Sequence, residues 1–163
     1  MSISIEDAYK QRSELDNLSF EPIEALERLK ISRGYYATFL SARAIIEKHK
    51  IPMVVRKSNG DKYGSHEKIY ESLVLYTISP NLVEVGLQLR NYHKIRKKAD
   101  YDIHKNITEY DVDLARSYFE ACRKRIEFFE KNPTLPYTKA SKVVEATHTG
   151  SGIGESKISD VIK

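Results

Sequence analysis

One stretch of the chain carries side chains that could act on a phosphate group. Arg96 is followed by Asp100, Tyr101 and His104, and His93 precedes it. At about 100° per residue, the histidines, the arginine and the aspartate fall within roughly 80° of one another if one helix runs through all of them. An arginine can clamp a phosphate with two hydrogen bonds, and a histidine or tyrosine can transfer a proton. The spacing therefore predicts a cationic cleft for a phosphate ligand, with Arg96, Asp100, Tyr101 and His104 as candidate catalytic residues.

The same stretch carries the whole net charge of the chain. Residues 87–106 hold six cations and two anions, and the remaining residues hold 21 of each, which together give a net charge of +4. One basic segment in an otherwise balanced protein indicates an anionic partner such as nucleic acid. The candidate nucleic-acid contacts are its basic and imidazole side chains, Arg90, His93, Lys94, Lys97 and Lys98.

A structural interpretation fits Arg96 equally well. The arginine continues an apolar stripe at steps of three and four, and so points towards the interior of the protein. The stripe consists of Leu82, Val85, Leu89 and Tyr92. A buried arginine needs a partner because an unpaired buried charge is costly, and Asp100 lies four residues later. In this interpretation the two residues form an internal ion pair, and the lysines are a solvated face.

Composition and spacing argue against several other kinds of site. The single cysteine, Cys122, excludes an intrachain disulfide and a zinc site built on paired cysteines. The five histidines have no zinc-like spacing, and the glycines of residues 150–154 follow no predicted strand, so neither a metal nor a cofactor is expected. No apolar run is long enough for a membrane helix and no export signal is visible, which predicts no membrane contact and a cytoplasmic setting.

The elements that position these residues are predicted to be helices. Apolar residues recur at helical spacing between five prolines, which predicts an all-α fold, an up-and-down bundle of four to five helices. The helices are expected at residues 5–16, from Pro22 to about Lys50, from a capping Ser65 through Thr77, from Ser79 and Pro80 through the basic segment, and after a capping box of Thr108 and Asp111. Residues 52–64, with Asn59 and Gly60, are expected to form a loop or loose hairpin.

The domain boundary is expected near residue 131. The last predicted helix has a clear core stripe, formed by Val112, Ala115, Phe119, Cys122, Ile126 and Phe129. Residues 132–163 hold three of the seven glycines, no Phe and many small polar residues, and are predicted to be a flexible tail. Residues 1–131 are therefore expected to be the bundle.

Two stretches of the sequence resemble small bacterial proteins of the HEPN family, named for higher eukaryotes and prokaryotes nucleotide-binding. Residues 33–49, RGYYATFLSARAIIEKH, contain Arg33 and a Tyr-Tyr pair. Residues 89–102, LRNYHKIRKKADYD, contain Arg96 followed by Ala-Asp-Tyr at residues 99–101. The resemblance covers roughly residues 20–131. It implies a helical bundle that commonly forms a homodimer, with the signature helices at a shared cleft.

The resemblance also implies a role in bacterial toxin–antitoxin or phage-defence systems that act on RNA. Many members are paired with a nucleotidyltransferase-like antitoxin, and some are metal-independent ribonucleases. In those enzymes four to six residues separate the arginine, which stabilises the phosphate charge, from a histidine that moves the 2′-hydroxyl proton. Here those positions after Arg96 hold Tyr101, Asp102 and Ile103, and His104 comes one residue later. His104 fits the role if the helix ends near Asp102 and the chain turns back, and His93, one turn before Arg96, is the other candidate. Three hypotheses follow. The chain is a ribonuclease, a non-catalytic module that binds nucleotide, RNA or a partner, or a scaffold whose tail docks elsewhere.

Overall fold

The computed structural model describes residues 4–18 and 23–133, and in these residues it confirms an all-α bundle of five helices. They are α1 (Ile5–Leu15), α2 (Ile23–Lys48), α3 (Ser65–Leu75), α4 (Pro80–Tyr101) and α5 (Glu109–Lys131). The predicted helix start at Pro22 and nearly all of the predicted tail lie outside the described residues. In the described part of the chain, no helix is long and apolar enough to cross a membrane.

The centre of the bundle is the pair α2 and α4. Helix α2 packs against each of the other four helices, and α4 packs against α2, α3 and α5. The predicted stripe of α4 is fully buried, and Arg96 continues it into the interior with only 6% of its surface exposed. Five of the six predicted core residues of α5 are buried, and Val112 packs against the core from its edge. Arg96 is therefore held in the interior of the bundle, next to α2.

The helix boundaries follow local backbone chemistry. Helix α2 ends in a Schellman arrangement in which Lys50 has a φ of 52° and the Ile51 amide donates to the carbonyl of Ile46 at 3.0 Å. The predicted capping box of α5 is confirmed, because the Asp111 amide donates to Thr108 Oγ1 and the Thr108 amide donates to Asp111 Oδ2. Both helices therefore stop or start within a residue or two of the predicted positions.

The cap of α3 differs from the sequence prediction. The helix begins at Ser65, but its N-cap is Gly64 and not the predicted Ser65. The Gly64 amide donates to Glu67 Oε2 at 2.9 Å, so the Glu67 carboxylate in the first turn satisfies the backbone N–H of the N-cap residue. His66, the second residue of the helix, therefore lies in the first turn of α3.

The segment before α3 is a loose hairpin, as predicted. A single bridge joins Arg56 and Lys62, and Gly60 has a φ of 89° in the turn, a conformation that side chains with a Cβ rarely adopt. The hairpin is attached to α3 by a hydrogen bond from the Val54 amide to Ser72 Oγ at 3.0 Å. The bond ties the segment before α3 back onto that helix.

One glycine allows α3 and α4 to approach closely. A Cβ on Gly86 would lie 2.7 Å from the carbonyl oxygen of Tyr70 and 2.8 Å from the backbone nitrogen of Val74. Glycine is the residue that permits this backbone contact. The close approach brings the first turn of α3 next to the middle of α4, where the polar side chains meet.

Candidate functional site

Seven polar side chains from three helices meet at one place in the bundle, and we call them the arginine–histidine cluster. Helix α2 contributes three of them, α3 one and α4 three. The members are Ser32, Tyr35, Tyr36, His66, His93, Arg96 and Asp100. The cluster therefore depends on tertiary packing and not on one helix face alone.

Arg96 is the most constrained member of the cluster. Its Nε lies 2.6 Å from Asp100 Oδ2, and its Nη2 donates to the Tyr36 hydroxyl at 2.6 Å. The same aspartate oxygen accepts a hydrogen bond from Ser32 Oγ at 3.2 Å. The predicted ion pair between Arg96 and Asp100 is confirmed, and it is tied to α2 at both of its ends.

Two aromatic rings enclose the guanidinium of Arg96. The Tyr36 ring centroid lies 5.0 Å from its central carbon, and the Tyr101 ring centroid lies 4.7 Å away. Burial alone would lower the pKa of Arg96, but the interactions with Tyr101 and Asp100 outweigh burial and raise it. Tyr101 is the last residue of α4 and is 64% exposed, so its ring covers the arginine from the solvent side.

The histidines of the cluster stack on each other. The rings of His66 and His93 have centroids 5.0 Å apart at an interplanar angle of 24°. The Tyr35 ring stacks on the His93 ring, with the two ring centroids 5.3 Å apart. The hydroxyl of Tyr35, which is fully buried, lies 2.8 Å from His66 Nδ1. That hydrogen bond fixes the orientation of the His66 ring and leaves Nε2 as its other functional nitrogen.

Both imidazoles are neutral at physiological pH. Burial is the largest cause that lowers the pKa of His93 to about 4, and the neighbouring His66 and the charges of Arg96 and Lys97 act in the same direction. The pKa of His66 is lowered as well, first by burial and then by Arg96. Burial also raises the pKa of the Tyr35 hydroxyl. Burial and the nearby guanidinium disfavour the protonated form, so each imidazole is a weaker base than a free histidine and has an unprotonated ring nitrogen.

His104 does not join the cluster. Helix α4 ends at Tyr101, so the helical face that would align His104 with Arg96 stops before it. His104 is exposed in the turn between α4 and α5, and within the described residues it has no hydrogen bond, ion pair or ring contact. The condition for aligning His104 with Arg96, one helix through both residues, is therefore not met.

Arg28 and Glu24 of α2 hold the segment that carries His104. Arg28 Nη1 donates to the carbonyl of Ala99 at 2.9 Å and to that of Lys98 at 3.2 Å, and Nη2 donates to the carbonyl of Lys105. Glu24 Oε1 accepts a hydrogen bond from the Ile107 amide at 3.1 Å. These bonds satisfy the carbonyls at the end of α4 and end the helix where it does.

The basic side chains of the segment divide into engaged and solvent-facing groups. Arg90 pairs with Glu71 at 2.7 Å, and Lys98 pairs with Asp111 at 2.7 Å. These two cations link α4 to α3 and to α5, so they stabilise the bundle. Lys94 and Lys97 are exposed, and His93 belongs to the cluster. Of the predicted nucleic-acid contacts, Lys94, Lys97 and His93 therefore keep a side available to a ligand.

Sequence reasoning missed His66, although a signal for it is present. His66 lies three residues before Ile69 and seven before Leu73, so it continues the buried stripe of α3 towards the helix start. The same extension of a stripe singled out Arg96 on α4. Polar residues that continue an apolar stripe on two helices are thus the pattern that identifies this cluster.

The histidines and the aspartate of the cluster do not converge as metal ligands among the described residues. In the described residues no group of three His, Cys, Asp or Glu side chains converges in a metal-ligating arrangement. Cys122, the single cysteine, is buried on the core stripe of α5, and burial raises its pKa to about 12. What the cluster offers is a guanidinium, neutral imidazoles and aromatic rings, which together can hold a phosphate and accept a proton.

Comparison of the chain with family models, curated proteins and solved structures gives no match. The fold and the site define the chain as a five-helix bundle that holds a fixed arginine and a histidine pair between α2, α3 and α4.

Proposed function

We propose that this chain is an HEPN-like component of a bacterial toxin–antitoxin or phage-defence system, and that it binds RNA at the arginine–histidine cluster. The observation that carries the proposal is the fixed guanidinium of Arg96 next to the stacked pair of His66 and His93. An arginine whose position is set by an aspartate and a tyrosine is preorganised for a phosphate, because little side-chain freedom is lost on binding.

Aromatic and basic groups around Arg96 favour RNA among phosphate ligands. Tyr101 presents a largely exposed ring above the guanidinium, and stacking of an unpaired base on a tyrosine is a common mode of single-strand recognition. Lys94 and Lys97 on the exposed side of α4 add charge for neighbouring phosphates. In this proposal Tyr101 turns away from Arg96 to stack on a base, and the phosphate takes its place.

Binding of a labelled single-stranded oligoribonucleotide, followed by fluorescence anisotropy, tests the proposal. Arg96→Lys keeps the charge but loses the fixed fork of donors, and Tyr101→Ala removes the stacking ring. Both are expected to weaken binding about tenfold, as the loss of one charged hydrogen bond or one stacked base does. Arg116→Ala is the control, because Arg116 is an exposed arginine of α5 that pairs only with Asp113. A wild-type protein without affinity for RNA would contradict the proposal.

A second candidate function is a metal-independent ribonuclease that uses the same cluster. It is favoured by the position of the stacked His66 and His93 rings beside Arg96, because an imidazole can take the 2′-hydroxyl proton while Arg96 stabilises the charge that develops on the phosphate. In this candidate the base is His93 or His66; the sequence left the role open between His93 and His104.

Cleavage of single-stranded RNA in the presence of EDTA tests the ribonuclease. His93→Ala and His66→Ala are each expected to reduce the rate at least a hundredfold, as the loss of an acid or base catalyst does, and His104→Ala is expected to leave it unchanged. If the wild type binds RNA and never cleaves it, the non-catalytic binding module is the correct function. If only His104→Ala is inactive, the loop and not the cluster holds the base.

The proposed system implies two partners, a second copy of the chain and a nucleotidyltransferase-like antitoxin. A homodimer predicts twice the monomer mass in light scattering, and a toxin–antitoxin pair predicts co-purification with the product of a neighbouring nucleotidyltransferase-like gene. Monomeric behaviour at micromolar concentration would contradict the dimer without affecting RNA binding by a single cluster.

A further inference from the structure

One arginine of the chain has no partner within the described residues. Nine of the ten arginines form an ion pair or a hydrogen bond with a carboxylate, a carbonyl or an amide oxygen there. The exception is Arg33, an exposed residue of α2. A guanidinium with no such partner among the described residues is a candidate to bind an anion.

Arg33 lines a small groove between α1 and α2. The groove has a volume of about 230 Å³, and its other lining residues are Ala8, Gln11, Tyr36 and Leu40. It is smaller than the pockets of about 300 to 1,000 Å³ that enclose a whole small ligand. A single ring with an attached anionic group is the size of ligand that suits it.

Tyr36 connects this groove to the arginine–histidine cluster. The tyrosine lines the groove, its hydroxyl accepts a hydrogen bond from Arg96 at 2.6 Å, and its ring lies 5.0 Å from the Arg96 guanidinium. One aromatic side chain therefore borders both places. A strand of RNA that lies across Tyr36 reaches a phosphate-binding arginine on each side of it.

We propose that the groove is a second ribonucleotide subsite for single-stranded RNA. Arg33 binds the phosphate, and Tyr36 and Leu40 contact the base or ribose of the nucleotide next to the one at Arg96. The proposal rests on RNA binding at the cluster and adds a second contact to it. Apolar and aromatic side chains beside a guanidinium match the two halves of a nucleotide, since the base is aromatic and the phosphate is an anion.

The test compares two exposed arginines of the same helix by anisotropy with a labelled oligouridylate. Arg33→Ala is expected to weaken binding about tenfold and to lower the slope of log affinity against log salt by about one. Arg43→Ala is the matched control: it removes the same charge from α2, but Arg43 pairs with Glu47 and does not line the groove. Equal melting temperatures show that the two variants are folded.

A second pair of variants changes the groove without touching an arginine. Gln11→Glu places a carboxylate opposite Arg33 and is expected to weaken RNA binding as much as Arg33→Ala does, whereas Gln11→Ala binds like the wild type. Equal effects of Arg33→Ala and Arg43→Ala, or wild-type binding by Gln11→Glu, would overturn the subsite and leave the cluster intact. A wild type that does not bind RNA would overturn the proposed function, and this subsite with it.

Discussion

The rings of His66 and His93 stack with centroids 5.0 Å apart, although one lies in the first turn of α3 and the other in the middle of α4. Their contact depends on how closely the two helices pack. Gly86 sets that distance, because any Cβ there would meet the backbone of α3. The chemistry of the cluster is therefore coupled to a glycine that belongs to no part of it.

Gly86→Ala is expected to destabilise the protein and to separate the histidines. Alanine favours a helix by about 1 kcal/mol over glycine, so any net loss reports the steric clash with α3. Overpacking of this kind lowers the free energy of unfolding by about 1 to 3 kcal/mol, which urea denaturation measures. Gly64→Ala is the steric control: a Cβ there would touch only the Glu67 side chain at ordinary distances, so its cost is limited to the N-cap preference of glycine over alanine. A Gly86→Ala protein as stable as the wild type would contradict the close approach.

The lowered pKa values of His66 and His93 predict that the protein becomes less stable as the pH falls. The folded-state pKa of His93 is about 4, and that of His66 is also below the unfolded value near 6.5. Between these values the unfolded chain binds more protons than the folded one, so stability is fully present above pH 6.5 and is lost as the pH falls towards 4.

Melting temperatures measured from pH 7.5 to pH 4.5 test this dependence. The wild type is expected to lose several degrees across the range, and His93→Gln is expected to lose fewer, because it removes a group that resists protonation when folded. His104→Gln removes an exposed imidazole outside the cluster and serves as the control. Parallel curves for His93→Gln and the wild type would show that the histidine is not buried as described.

The ion pair of Arg96 and Asp100 predicts strong coupling in a double-mutant cycle. Asp100→Ala leaves a buried guanidinium without its carboxylate, which costs about 3 kcal/mol, and Arg96→Met leaves the carboxylate unpaired. The double variant is expected to lose less than the sum of the two, since neither charge then remains. The exposed pair of Arg43 and Glu47 is the reference, with a coupling of about 0.5 kcal/mol. Equal couplings would mean that Arg96 is solvated in solution.

The fold could be predicted largely from the sequence because its signals are local. The capping box of Thr108 and Asp111, the proline at the start of α4 and the stripe of α5 each depend on residues within one or two turns. The ion pair of Arg96 and Asp100 was predictable for the same reason, since both residues lie on one helix four positions apart.

The rest of the cluster could not be predicted because it is a property of packing. Tyr36, His66 and Ser32 reach Arg96, His93 and Asp100 across helices, and helical spacing carries no information about which helices are neighbours. The alignment of His104 with Arg96 on one helical face was not realised, for a related reason. Helical periodicity extended through it, but the helix ends at Tyr101, where Arg28 of α2 binds the terminal carbonyls.

Because Arg28 binds these carbonyls, its removal is expected to make the turn between α4 and α5 more mobile. Arg28→Ala removes donors from the carbonyls of Ala99 and Lys105, and it frees Glu24, which receives the Ile107 amide. Leaving these partly buried groups without a partner is expected to lower the free energy of unfolding by about 1 to 3 kcal/mol.

Hydrogen exchange locates that loss more sharply than global unfolding does. The Ile107 amide is bonded only through Glu24, so its protection is expected to fall by more than that of amides in the core stripe of α5, such as Cys122. Arg116→Ala again serves as the control, because its partner Asp113 lies within the same helix. If Ile107 and Cys122 lose protection equally in Arg28→Ala, the turn unfolds only with the whole bundle, and the arginine holds no separate local structure.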